Sequence, residues 1–181
     1  MIVRCGVAIT IFPRFRGVVD SRFVAVIRRG KAPLAGRWSL PGGRLEVGES
    51  LADGAAREAF EELAIRVDVQ PAAANGVTAF TSSDAIHLSE GFHYVVSHVL
   101  GFVDCVIEGE LPVLHAGDDA AAAMWVRVDD DDGAAVDSDY PKSALTPTPT
   151  LASTTAGPQV SSVVTLARRL LQRRGRSSAS A

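Results

Sequence analysis

The chain has 181 residues, 47% of them hydrophobic and 22% charged, which suits one soluble globular domain with a real core. A net charge of −3 excludes the basic excess expected of a general nucleic-acid binder, while leaving room for a local cluster of cations that holds phosphates. No apolar run reaches membrane-spanning length, and the N-terminus opens on strand-like sequence with no secretory pattern, so a cytoplasmic protein is expected.

Residues 2–12 are β-branched and apolar and predict a buried strand, with a loop from Pro13 to Asp20 and a second strand over 22–28. A basic turn follows at 28–37, then a short extended piece, Trp38-Ser39-Leu40, and a sharp break at Pro41-Gly42-Gly43. Residues 50–63 form the clearest helix. Ser50 is its expected N-cap, with Asp53 three residues on. Leu51, Ala52, Ala55, Ala56, Ala59, Phe60 and Leu63 fall on one face, which should pack on a sheet.

Residues 65–69 and 76–80 are short strand candidates. A long strand is expected over 92–104 and another over 124–128, with a loop across 105–122 that carries Gly117, Asp118 and Asp119. Asp129 to Asp132 read as a solvated loop, and 141–158, rich in Pro, Thr and Ser, as a linker or long surface loop. Residues 159–173 predict an amphipathic helix packing on the same domain, and 174–181 a disordered tail. The domain itself is expected over 1–140. Cys5 and Cys105 lie in apolar strand-like stretches outside any CxxC pattern, and both are expected to be buried thiols in a reducing compartment.

The chemistry concentrates in the 50–63 helix. Glu58, Glu61 and Glu62 stand at i, i+3 and i+4, where side chains are neighbours and like charges repel. Two of them fall in the last turn, where the helix dipole disfavours negative charge. A solvated face is one account. A divalent cation is the other, since magnesium prefers carboxylate oxygens and completes its shell with water and substrate phosphates. Arg57 can pair with Glu61 or with Glu49 and so orient a carboxylate. Gly54 costs about 1 kcal/mol relative to Ala in a helix interior, and either leaves room beside the charged face or is a tolerated flaw.

The surroundings favour the cation. Gly43, then Glu49, then Arg57-Glu58-Ala59-Phe60-Glu61-Glu62-Leu63-Ala64-Ile65 resembles the Nudix box, matching it at every charged position and in both spacings. One position departs: Ala64 stands where the family has the glycine that ends the helix in a left-handed conformation, so Ala64 is either strained by roughly 1 kcal/mol or the helix ends differently. Arg28-Arg29-Gly30-Lys31, Gly36 to Gly43, Gly91 to Val96, Gly117-Asp118-Asp119 and Met124-Trp125-Val126 look similar to the ADP-ribose pyrophosphatase branch.

The resemblance implies an α+β fold, an α/β/α sandwich around a central mixed β-sheet. It implies Mg2+, with Mn2+ as an alternative, held by Glu58, Glu61, Glu62 and the carbonyl of Gly42, with Glu49 and Arg57 as orienting groups. Glu58 is alternatively the base toward the attacking water, and Asp118 or Asp119 is the loop candidate for that base. Arg28, Arg29, Lys31 and Arg37 are candidates to hold a substrate phosphate, or else ordinary solubilising charge.

Phe12, Phe23, Phe80 and Tyr94 could stack a base, although strand aromatics are more often core, and the four histidines lack metal-ligand spacing. The expected reaction is metal-dependent hydrolysis of the pyrophosphate in a nucleoside diphosphate linked to another group, first of all ADP-ribose to AMP and ribose 5-phosphate. A triphosphate pyrophosphohydrolase of MutT type and a non-catalytic nucleotide-binding regulator are the alternatives. The partner is a nucleotide-derived small molecule, with no membrane and no stable nucleic acid, and homodimers are common among relatives.

Overall fold

The computed structural model describes residues 2–32, 34–72, 75–128 and 158–178. Strand β1 (Arg4–Phe15) overruns its expected end at Pro13 and turns into a hairpin with β2 (Val18–Val19). The overrun is tolerated because the Pro13 carbonyl faces the hairpin, where it accepts from the Asp20 N–H at 2.9 Å. The proline nitrogen therefore lies on that side too, away from the parallel partner strand.

Next come β3 (Phe23–Arg29), β4 (Trp38–Ser39) and β5 (Gly42–Arg44), then helix α1 (Leu51–Leu63). Beyond it run β6 (Asp68–Gln70), β7 (Ala79–His87), β8 (Phe92–Asp104) and β9 (Ala120–Arg127), and helix α2 (Pro158–Ser178) closes the described chain. Strand β7 is far longer than the expected 76–80, and β9 starts four residues earlier than expected. Helix α2 continues past residue 173 into the segment expected to be a disordered tail. The Asp129–Asp132 run and nearly all of the 141–158 linker lie outside the described residues.

The expected mixed sheet is present, and its strands fall into two hydrogen-bonded groups. The larger is mixed, ordered β2-β1-β8-β6, with β5 on β1 and β7 on β8; the smaller is antiparallel, ordered β4-β3-β9. Strands β1 and β8 run parallel from Arg4↔Tyr94 to Arg14↔Asp104 and form the spine.

Alternation along β1 and β3 makes two cores. Val7, Ile9, Ile11, Phe23, Ala25 and Ile27 meet Ala55, Ala59 and Leu63 of α1. Phe12, Val24 and Val26 meet Val163, Val164 and Ala167 of α2. A helix thus covers each side of the strands, as the sandwich expectation required. Full burial of Leu63 alone stabilises the fold by about 1.5–3 kcal/mol.

Two local expectations resolve differently. Cys5 is exposed and Cys105 only half-buried, so the expectation of two buried thiols is corrected: each sits at a strand end, beyond the helices that cover the middle. Ala64 adopts the left-handed conformation that the family gives to glycine, with φ 55° and ψ 30°, and its N–H bonds the Phe60 carbonyl at 2.9 Å. Ala64→Gly should therefore stabilise the protein by about 1 kcal/mol. Urea midpoints of the two proteins check this, and an unchanged or lowered midpoint contradicts the strain.

Candidate active site

Ser50 caps α1 as expected, its Oγ accepting the Asp53 N–H at 3.1 Å, and this fixes the register of the carboxylates that follow. Glu58 and Glu62 turn inward and are only 9% and 4% exposed, whereas Glu61 faces solvent. What they turn toward is the Gly42-Gly43 pair of β5. The Gly42 N–H donates to Glu62 Oε2 at 2.8 Å. A Cβ on Gly43 would lie 2.7 Å from Glu58 Cδ, and one on Gly42, whose φ is +148°, would lie 2.7 Å from the Ala8 Cα. Only glycine lets this strand pass between β1 and the acidic face of the helix.

Arg57 organises the rest. Its Nε and Nη2 grip the two oxygens of Glu49 at 2.8 and 3.0 Å, and Nη2 also donates to the Arg44 carbonyl at 3.1 Å. Nη1 donates to both Glu58 Oε1 and Glu61 Oε2 at 2.9 Å. Gly54 now has a reason: a Cβ there would meet Leu45 Cδ2 at 2.6 Å and Glu49 Oε2 at 2.9 Å, so its absence admits Glu49 beside the helix.

The electrostatics divide the acids. Arg57 holds Glu49 below the usual carboxylate range. Burial raises Glu58 in spite of Arg57. Burial pushes Glu62 up to about 8, opposed by the Gly42 N–H and the Arg29 charge, with the negative charges of Glu58 and Asp118 adding to the rise.

The loop after β8 docks on the exit of α1. The His115 and Gly117 N–H groups donate to the carbonyls of Leu63 and Glu62 at 3.0 and 3.2 Å, which satisfies the end of the helix. Gly117 has no room for a side chain, since its Cβ would stand 2.5 Å from the Glu61 carbonyl oxygen. Asp119 is tied to Lys31 by an ion pair, and its carbonyl accepts the Gly30 N–H at 2.6 Å. That contact brings the basic β3–β4 hairpin up to the acidic helix.

The structure therefore gathers Gly42, Glu49, Arg57, Glu58, Glu61 and Glu62 at one place. Arg28, Arg29, Lys31 and Arg37 lie on the adjoining hairpin, where Arg28 and Arg37 are exposed and Arg29 is half-buried. Asp119 faces Lys31, so of the two loop aspartates it is Asp118 whose charge reaches Glu62. Gly43 and Gly54, both noted in the sequence, prove to be close-approach positions of the site. Arg44, whose carbonyl accepts from Arg57, carried no sequence signal, because it acts through its backbone.

Among the described residues no three His, Cys, Asp or Glu side chains are grouped in metal-holding geometry, because Glu58 and Glu61 both turn onto Arg57. The donor set nonetheless fits a hard divalent cation. It consists of oxygens only, three carboxylates and the Gly42 carbonyl, and two of the three acids are buried with their charges opposing each other, a repulsion that a cation would relieve.

The family described as "NUDIX domain" matches residues 6–142. Among solved structures, a Nudix hydrolase from M. smegmatis, RenU, is similar with a TM-score of 0.60 at 14% identity, over 96% of this chain and 89% of that one. An Ap4A hydrolase from C. elegans gives 0.60 at 12% identity, over 93% and 98%. A MutT/nudix family protein from Enterococcus faecalis gives 0.51 at 21% identity over 70% of this chain, which spans only 44% of that protein's length. These likenesses show a shared fold. No helix among the described residues is long and apolar enough to cross a membrane.

Proposed function

Since the chain belongs to the Nudix family of hydrolases, we propose that it cleaves the pyrophosphate of a nucleoside diphosphate linked to another group, with ADP-ribose as the first substrate to test and AMP and ribose 5-phosphate as its products. The observation that carries this reading is the crowding of Glu58, Glu61 and Glu62 on one helix face beside Gly42-Gly43. Such a face is costly without a counter-cation and well suited to a cation that also meets phosphate oxygens.

In this reading Glu58, Glu61 and Glu62, with the Gly42 carbonyl, hold Mg2+ or Mn2+. When bound, the metal neutralises the diphosphate and lowers the pKa of the attacking water. Arg57 and Glu49 position Glu58 and Glu61. Asp118 is the better placed of the two loop aspartates to take the proton from that water, because Asp119 is engaged by Lys31. Glu58, whose pKa is raised, is the alternative base. Arg28, Arg29 and Arg37 supply positive charge for the far phosphate.

The test is a panel of ADP-ribose, nucleotide sugars, dinucleoside polyphosphates and 8-oxo-dGTP with Mg2+, read by product. ADP-ribose should give the highest kcat/KM, yielding AMP. Preferred release of pyrophosphate from 8-oxo-dGTP would move the assignment to the MutT type. Nucleotide binding without turnover under varied metals would make the protein a binder.

A further inference from the structure

Lys31 is one of the four cations expected from sequence to hold a substrate phosphate, and its ammonium is engaged elsewhere. It pairs with the Asp119 carboxylate across the gap between the β3–β4 hairpin and the turn that leads into β9. The charge of Asp118 acts on it as well.

The turn that carries Asp118 is held through its backbone on two sides. The Ala120 N–H donates to the Gly117 carbonyl at 2.9 Å and closes it. Before Asp118, the Gly117 N–H donates to the Glu62 carbonyl, and a Cβ on Gly117 would stand 2.5 Å from the Glu61 carbonyl oxygen. After it, the Asp119 carbonyl accepts the Gly30 N–H at 2.6 Å, and a Cβ on Gly30 would stand 2.8 Å from that same oxygen. Glycine thus makes each contact, one with the helix and one with the hairpin. Asp118 lies between them with a φ of 46°, a left-handed conformation that surrounding structure must hold in place. Its charge reaches Glu62, so the position of this turn fixes the position of the candidate base against the acidic face.

We propose that Lys31 is a positioning residue: by pairing with Asp119 it ties the turn to the hairpin and holds Asp118 toward the acids of α1. The proposal rests on the pyrophosphate reading for the reaction in which Asp118 acts. Hairpin and turn then behave as one unit, which keeps a constant spacing between the phosphate that the hairpin holds and the base that the turn carries. Lys31 contributes to turnover and not to substrate affinity, while Arg28 and Arg37, exposed on the same hairpin, remain for the phosphate. The pair is itself exposed, 67% at Lys31 and 43% at Asp119, which limits its effect to about fivefold.

The test combines kinetics in the full chain, with Mg2+ and ADP-ribose, with amide hydrogen exchange read by NMR. Lys31→Ala should lower kcat about fivefold, leave KM within about twofold, and speed exchange at the Gly30 and Gly117 N–H groups about fivefold. Asp119→Asn should do the same, and the double variant should be no worse than either single one, because all three lose one interaction. Lys31→Arg keeps the charge and should restore both kcat and exchange. A raised KM in Lys31→Ala beside an unaffected Asp119→Asn returns Lys31 to phosphate binding and overturns the proposal. Losses that multiply in the double variant overturn it too, as does unchanged exchange. A far larger loss in Asp119→Asn alone makes Asp119 the base and likewise overturns it. Faster exchange in both single variants of a protein that cleaves nothing on the panel supports the tie and overturns the hydrolase reading.

Discussion

Glu62→Gln is expected to lower kcat about a thousandfold at saturating Mg2+ while leaving the fold intact. A loss of that size corresponds to about 4 kcal/mol of transition-state stabilisation, within what a misheld metal ion removes. The fold should survive because the amide is isosteric and its carbonyl can still accept the Gly42 N–H, which Glu62 Oε2 now accepts at 2.8 Å.

Stability should move the other way. Burial holds the Glu62 pKa at about 8, well above that of an unfolded glutamate, so the folded state prefers the protonated acid. Its contribution is fully present below about pH 4.5 and is lost as pH rises through 8, a change on the order of a few kcal/mol. In EDTA the natural protein should therefore melt progressively lower from pH 5 to pH 9, and Glu62→Gln should flatten that slope and melt higher at pH 8. Near-normal kcat in the variant contradicts the metal role. Parallel slopes contradict the account of burial.

Arg57→Ala should be the most damaging change to the scaffold of the site. One guanidinium bonds Glu49, Glu58, Glu61 and the Arg44 carbonyl, and its removal leaves the buried Glu58 beside Glu62 with no nearby cation on the helix. Arg57 is about a quarter exposed, which reduces the cost below that of breaking a fully buried pair, to about 2 kcal/mol in the metal-free protein. Mg2+ should recover part of that loss, because it answers the same repulsion.

Activity should fall about 10–100-fold, the usual effect of losing a group that orients metal ligands. Arg57→Lys should lie between, since an ammonium cannot grip both oxygens of Glu49 in a fork. Urea denaturation with and without Mg2+, alongside kcat/KM, checks this. A destabilisation that Mg2+ does not reduce, or full activity in Arg57→Ala, contradicts it.

What the sequence made legible follows from how local each feature is. The Ser50–Asp53 cap and the 92–104 strand depend on neighbours a few residues away and stand where expected; so does the apolar face of α1 except for Phe60, which is 52% exposed at the edge of that face, with the Arg66 guanidinium 5.5 Å from its ring. Strand β1 beyond Pro13 was hidden because proline usually marks a break, and only the hairpin geometry shows that its nitrogen faces away from β8. The length of β7 was hidden because Thr81-Ser82-Ser83-Asp84 reads as a turn, and its pairing with β8 overrides that propensity.

In the site, the spacing of Glu58, Glu61 and Glu62 gave a shared face but not which two would be buried. That depends on Gly42-Gly43 approaching from another strand. The ion pair that Lys31 makes with Asp119, reaching across from the β3–β4 hairpin, was likewise closed to sequence.

The central claim is that these three acids share a divalent cation with a diphosphate. A crystal structure with Mn2+ and the α,β-methylene analogue of ADP-ribose, read by the anomalous signal of manganese, tests it most directly. The prediction is manganese bound to Glu58, Glu61 and Glu62 and to the analogue's phosphonate oxygens, with Arg57 released from Glu61 and still gripping Glu49. Manganese and analogue bound elsewhere, with Arg57 still spanning Glu58 and Glu61, would contradict it.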